Sequence, residues 1–192
     1  MTVYCATSNA GKLREFQRAA PDFDVRALPG SVPPPEETGD TFEANAIQKA
    51  EAYGTHTAGF LFADDSGLEV DSLGGAPGIH SARYAGEGAT DAANNALLLE
   101  RLRGSGKRTA RFVCVIALVK GGELVRTFRG SVEGRILDEP RGSGGFGYDP
   151  LFYYEPHGCT FGEATIDSKM LVSHRAQALD QMFTYLRSIA ST

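Results

Sequence analysis

Cysteine is scarce in this 192-residue chain: Cys5, Cys114 and Cys159 are odd in number, far apart and partly set in apolar, strand-like runs. That usage argues against a disulfide framework or a zinc centre and predicts free, buried thiols. Positive charge is also in short supply. Nineteen Lys and Arg face 24 Asp and Glu, for a formal charge of −5, which speaks against a nucleic-acid surface but leaves room for one local basic pocket around a phosphorylated small molecule. No long hydrophobic run occurs, and the opening Met1-Thr2-Val3-Tyr4-Cys5 has no basic segment ahead of its strand-like pattern. No membrane span or signal peptide is therefore expected, and the expected compartment is cytoplasmic. Internal repeats and low-complexity tracts are lacking too. The 42% hydrophobic content suits a single domain over residues 1–192, or two small lobes around a cleft.

Val3 to Thr7 reads as a first strand, followed by a helix from about Lys12 to Ala20 that Asn9 can cap. After Pro33-Pro34-Pro35, Phe42, Ala46, Ala50 and Tyr53 recur at helical spacing, with Asn45 and Lys49 on another face. Phe60 to Ala63 reads as a short buried strand, after which Gly67 lets the chain turn into a carboxylate-rich loop. Thr90-Asp91 precede a helix that ends near Arg103. Arg111 to Val119 and Glu123 to Arg129 flank Gly121-Gly122 as a hairpin, and Ser131 to Leu137 continues extended. The last helix starts after Ser173 as its cap, with Leu179, Met182, Phe183, Leu186 and Ile189 on its core face. Helices alternating with strands, then a hairpin, predict an α/β fold with a mixed sheet.

Four constellations carry chemistry. Asp64 and Asp65 sit where a strand meets solvent, the place where α/β enzymes hold metals and substrates. With Glu36-Glu37 and Asp71 they make a candidate magnesium site, since that ion takes one or two carboxylates and completes its shell with phosphate and water. As neighbours, Asp64 and Asp65 should point differently, one to the metal and the other anchoring the loop; for any single carboxylate, surface solvation is the alternative. Thr7-Ser8-Asn9-Ala10-Gly11-Lys12 places hydroxyls, amides and a lysine at a helix N-terminus, either a phosphate cradle or an ordinary capped turn. Gly142 to Gly147 satisfies the dinucleotide fingerprint literally, but Tyr148-Asp149-Pro150 follow where a helix should begin. It reads instead as a loop presenting Phe146 to a base with Asp149 free to accept hydrogen bonds, or as aromatics that merely cover a core. Finally, His174 and Arg175 put two cations in a first helical turn, against the helix dipole by about 0.3 to 1 kcal/mol each. With Lys169 they offer three donors to a ligand, or else a solvated basic turn.

The segment from Asp64-Asp65-Ser66-Gly67-Leu68-Glu69-Val70-Asp71 through Tyr84-Ala85-Gly86 resembles the signature of the inosine triphosphate pyrophosphatase family. Thr7 to Lys12, Glu36 to Gly39, Gly145 to Pro150 and Ser173-His174-Arg175 agree with it in order. The resemblance implies an elongated mixed β-sheet flanked by helices, two lobes with a central active-site cleft, and a homodimer. It implies hydrolysis of ITP, dITP or XTP to the nucleoside monophosphate and pyrophosphate, with Mg2+ as cofactor. Position by position, it makes Asp65 the catalytic carboxylate and, with Glu37, a metal ligand. Ser66 would contact substrate. Thr7, Ser8, Asn9, Ala10, Gly11 and Lys12 would bind the triphosphate, and Phe146, Gly147, Tyr148 and Asp149 the base. Lys169, His174 and Arg175 would supply the remaining nucleotide contacts. Expected partners are purine nucleoside triphosphates, not nucleic acid or membrane. Two alternatives stay open: a non-catalytic nucleotide-sensing module, and a pyrophosphatase acting on pyrimidine nucleotides.

Overall fold

The computed structural model describes residues 1–7, 9–28 and 32–190. Strand β1 (Thr2–Cys5) buries Val3 and Cys5 and leads into helix α1 (Ala10–Ala19), after which β2 (Asp24–Ala27) returns parallel to β1. Helix α2 (Phe42–Gly54) precedes β3 (Phe60–Val70), which pairs parallel with β1 on its other side. Helix α3 (Asp91–Arg101) is followed by β4 (Thr109–Lys120), β5 (Glu123–Ile136), β6 (Phe152–Tyr154) and β7 (Cys159–Thr160), then by α4 (Ile166–Met170) and α5 (His174–Ala190). The sheet order is β2-β1-β3-β4-β5-β6-β7, parallel around β1 and antiparallel at β5-β6-β7. The predicted α/β class and mixed sheet are what the structure shows.

Helix starts match their caps: the Asn9 side chain accepts from the N–H groups of Gly11 and Lys12, and Thr41 and Thr90 cap α2 and α3 the same way. Gly121 and Gly122 turn the chain between β4 and β5 with φ of 60° and 88°, and hydrogen-bonded neighbours joined by two residues must run antiparallel.

Two readings need correction. The Asp-Ser-Gly-Leu-Glu-Val segment is not a loop, and Gly67 is not a turn: β3 runs unbroken for 11 residues. Leu68 and Val70 are fully buried, so apolar contact on one face keeps the chain extended past the two carboxylates. In α5, Ile189 belongs to the last turn and is 38% exposed, whereas Leu179, Met182, Phe183 and Leu186 are buried as patterned.

The chain forms two compact units interleaved along the sequence: residues 1–65, 114–130 and from 174 onward in one, 66–113 and 131–173 in the other. The first unit has an aromatic core in which Phe62 meets Phe16 edge-on at 5.0 Å and Phe183 at 6.5 Å. The second is built on Leu68, Val70, Leu98, Phe112, Ile136, Phe152 and Phe161. Among the described residues no helix is long and apolar enough to cross a membrane.

Candidate active site

Alternation along β3 sends Asp64 and Asp65 to different partners. Asp64, with a side chain only 1% exposed, takes Lys12 Nζ at 2.9 to 3.0 Å and Arg175 Nη2 at 3.5 Å. Burial alone would push its carboxyl up, but the charges of Lys12, Arg175 and Lys49 outweigh that and hold it well below the usual carboxylate range. Asp65 meets Lys49 Nζ at 3.0 Å and Asn45 Nδ2 at 3.3 Å. Here burial wins: desolvation, helped by the nearby Glu37 charge, raises the Asp65 carboxyl despite Lys49. One neighbour is a fixed anion and the other a more basic carboxylate.

Helix α2 supplies the second layer. Asn45 and Lys49, one turn apart on its polar face, both reach Asp65. Lys49 also lies 3.1 Å from Glu37, and burial, which lowers its basicity, is outweighed by the charges of Asp65, Asp64 and Glu37. The extended stretch carrying Glu37 is tied to the same helix. Thr38 exchanges hydrogen bonds with Gln48, and Gly39 N–H donates to Asn45 Oδ1 at 2.8 Å. At Gly39 a Cβ would sit 2.7 Å from both Ala44 Cβ and Asn45 Oδ1, so the close approach requires glycine. Glu36 is exposed and Glu37 half-buried.

Of the Thr7 to Lys12 segment, Ser8 lies outside the described residues. Thr7 Oγ1 accepts from Asn9 N–H, and Asn9 in turn holds the first amides of α1. Ala10 opens that helix and Gly11 follows it. Lys12 reaches across to Asp64. Ser66, next along β3 after Asp65, is half-buried. His174 and Arg175 do not form a solvated turn: they are 3% and 2% exposed. Arg175 Nη1 binds Glu15 of α1 at 2.5 Å and Nη2 faces Asp64. Set against the helix dipole, Arg175 is therefore held between two buried carboxylates and not in a solvated turn. Glu15, Asn45 and Lys49 carry the site without having been assigned to it from sequence. For Asn45 and Lys49 the signal was their shared polar helix face; for Glu15 there was none, since one acid in an amphipathic helix reads as surface.

In the second unit, Asp149 is not a free acceptor. It is 2% exposed, and its Oδ2 receives Phe146 N–H at 2.9 Å and Lys169 Nζ at 2.6 Å. The Lys169 ammonium lies over the Phe146 ring at 4.8 Å and the Phe161 ring at 5.7 Å. Tyr148 points into the core, its hydroxyl donating to Ser81 O, and burial pushes that phenol up. Gly147 takes φ 61°, leaving Phe146 and Gly147 half-buried at the apex. Cys5 and Cys114 are free and buried, as expected, and Cys159 is free and half-buried.

No group of three or more metal-binding side chains occurs among the described residues. Two all-oxygen donors, Glu37 and Asp65, share one ammonium. That set fits a hard divalent cation which draws the rest of its shell from phosphate and water.

Paired carboxylates and lysines clustered around a helix N-terminus at the parallel edge of a mixed sheet define a phosphate-handling α/β protein. The family model of the Ham1 family matches residues 3–185, and the chain belongs to that family. Proteins named dITP/XTP pyrophosphatase from Bacillus licheniformis and Bacillus subtilis are each 47% identical, with 96% and 95% of this chain and 97% and 96% of theirs covered. The structure of a HAM1 protein from Coxiella burnetii superposes with a TM-score of 0.89 at 41% identity, covering 98% of this chain and 99% of that one. The Staphylococcus aureus Ham1 protein gives 0.85 at 40% identity, with 98% and 99% covered.

Proposed function

We propose that this protein hydrolyses non-standard purine nucleoside triphosphates, dITP, ITP and XTP, to the monophosphate and pyrophosphate, a reading that the name of its relatives, dITP/XTP pyrophosphatase, supports. The observation that carries the reading is the Lys49 ammonium held 3.1 Å from Glu37 and 3.0 Å from Asp65, beside a second, cation-saturated carboxylate. Two neighbouring carboxylates driven apart by their surroundings are an arrangement suited to hydrolysis, one to take a proton and the other to stay charged.

In this reading water attacks the α-phosphorus, the bond to the bridging oxygen breaks, and pyrophosphate leaves. Asp65 accepts the proton of the attacking water. Glu37 and Asp65 would hold Mg2+, which when bound neutralises developing charge on the phosphate oxygens. Lys12 receives the triphosphate at the start of α1, with Thr7 and Asn9 to Gly11 shaping that turn. Ser66 contacts the substrate beside Asp65. Arg175, fixed by Glu15, keeps Asp64 ionised, so Lys12 stays in place. His174 shares that buried helix start. The loop Phe146 to Asp149 takes the base, and Lys169 donates to its 6-oxo group. Adenine offers a 6-amino donor there instead, leaving two donors face to face at about 1 to 3 kcal/mol. The same reading places a homodimer in the cytoplasm.

Pyrophosphate release across a panel of purine and pyrimidine nucleoside triphosphates with magnesium tests the proposal. Release from ITP and XTP well above that from ATP and the pyrimidines is expected. Nucleotide binding without release returns the sensing module, and preferential release from pyrimidine nucleotides overturns the base assignment.

A further inference from the structure

We infer that helix α3 sets the conformation of the base-binding loop, with Asp91 and Asn95 acting as positioning residues that clamp the Gly147 peptide from both sides. The inference rests on reading residues 145–149 as that loop. Gly147 N–H donates to Asp91 Oδ2 at 2.7 Å, and Gly147 O accepts from Asn95 Nδ2 at 3.0 Å. The two side chains are one turn apart on α3, so a single rigid helix holds donor and acceptor of the same residue. The bond to Asp91 is charge-assisted and the shorter of the two.

The loop needs such an outside hold. Gly145 and Gly147 both take left-handed φ, 71° and 61°, and glycine at these positions gives the free loop many competing conformations. Asp149 fixes one end of the turn through Phe146 N–H, and the α3 clamp fixes the apex. A Cβ built on Gly147 meets nothing within 4 Å, so that side of the clamped residue is open space. Phe146 immediately precedes the clamped residue, and its ring lies 4.8 Å from the Lys169 ammonium.

Asn95 also shows why this is more than packing. Its Oδ1 is buried without a hydrogen-bond partner among the described residues, a cost that an apolar side chain would avoid. Stability alone would favour leucine there; the amide is explained by what its nitrogen holds.

The test measures kcat, KM and melting temperature for Asp91→Ala, Asp91→Asn, Asn95→Leu and Phe146→Ala with the preferred non-standard purine triphosphate. The bond breaks at the α-phosphorus, so a disordered base loop removes binding common to ground and transition states, which raises KM and spares kcat. Asp91→Ala and Asn95→Leu are each expected to raise KM about tenfold, or about 1.4 kcal/mol, with kcat within about twofold. Asp91→Asn loses the same charge at the helix start but keeps an acceptor for Gly147, so its KM recovers while its melting temperature matches that of Asp91→Ala. Asn95→Leu is expected to melt no lower than wild type. If Phe146→Ala raises KM while the α3 variants do not, or if their kcat falls in proportion, the clamp is refuted and the base loop stands. If Phe146→Ala leaves KM unchanged, the base-loop reading fails and takes the clamp with it.

Discussion

Arg175→Met tests whether the buried charge cluster of the first unit is structural as well as electrostatic. The guanidinium is 2% exposed and bonds Glu15 and Asp64, whose side chains are 4% and 1% exposed. Methionine fills much of the volume but takes the guanidinium away from two desolvated carboxylates, while Lys12 still meets Asp64. Removing one member of a buried pair typically costs about 3 to 5 kcal/mol, because the stranded charge keeps its desolvation penalty. In a domain of this size about 1 kcal/mol moves Tm by roughly 2 to 4 °C, so a fall of about 6 to 20 °C is expected by calorimetry. Glu15→Met should cost a similar amount, and the double variant clearly less than the sum, since removing both partners strands no charge. Screening is weak for buried pairs, so the loss persists in high salt. A Tm within about 1 °C of wild type, with KM alone raised, would refute the argument and return Arg175 to direct nucleotide contact.

Asp65→Asn should lower kcat by at least about 10²-fold while nucleotide affinity is retained in equilibrium binding; near-normal turnover would remove Asp65 from the chemistry. Lys49→Met leaves Glu37 and Asp65 to repel each other, so the metal-free variant should melt below wild type and gain more Tm on titration with Mn2+; an equal gain in both proteins would show that the ion binds elsewhere. The folded Asp64 carboxyl is depressed, so its contribution is full above the ordinary carboxylate range near pH 4 and lost as pH falls below it; the urea-midpoint difference between wild type and Asp64→Asn should shrink on acidification, and a constant difference would contradict the ion pairs. Burial and the Asp64 charge push the thiols of Cys5 and Cys114 up to about 12, so native protein at pH 8 should be alkylated at Cys159 alone, as read by peptide mass, with all three labelled after unfolding.

Local signals carried most of the fold. Asn9, Thr41 and Thr90 cap helices because short polar side chains satisfy amides within three residues, and such interactions are written in adjacent letters. The continuation of β3 past Asp65 was not legible that way. Asp, Ser and Gly are poor strand residues by propensity, and what keeps them extended is the burial of Leu68 and Val70 against residues up to about ninety positions away, such as Phe161. Candidate site residues were found where chemistry and position coincided, as in the Asp64-Asp65 pair. The burial of Arg175 was not found, because its main partner, Glu15, lies 160 residues earlier.

The two neighbouring aspartates show why the site draws on three helices. On an extended strand, consecutive side chains leave on opposite faces, so the two carboxylates bond different cations even though each feels the charge of the other's partner. Asp64 is met from α1 and α5, by Lys12 and Arg175, and is held as a permanent anion. Asp65 is bonded from α2, by Lys49 and Asn45, and Lys49 is shared with Glu37. Two cations on one side and a shared cation on the other is the asymmetry that drives the two carboxyls apart, against a burial cost that both pay. Exchanging the pair to Asp64→Glu and Asp65→Glu tests that asymmetry by length alone, since each added methylene keeps the charge but moves the carboxylate against fixed cations. The Asp64 variant should lose stability first, because two rigid partners converge on it, whereas the Asp65 variant should lose turnover first, because Lys49 can follow it and the attacking water cannot. The reverse order in Tm and kcat would mean that the fixed anion and the base have been assigned to the wrong neighbours.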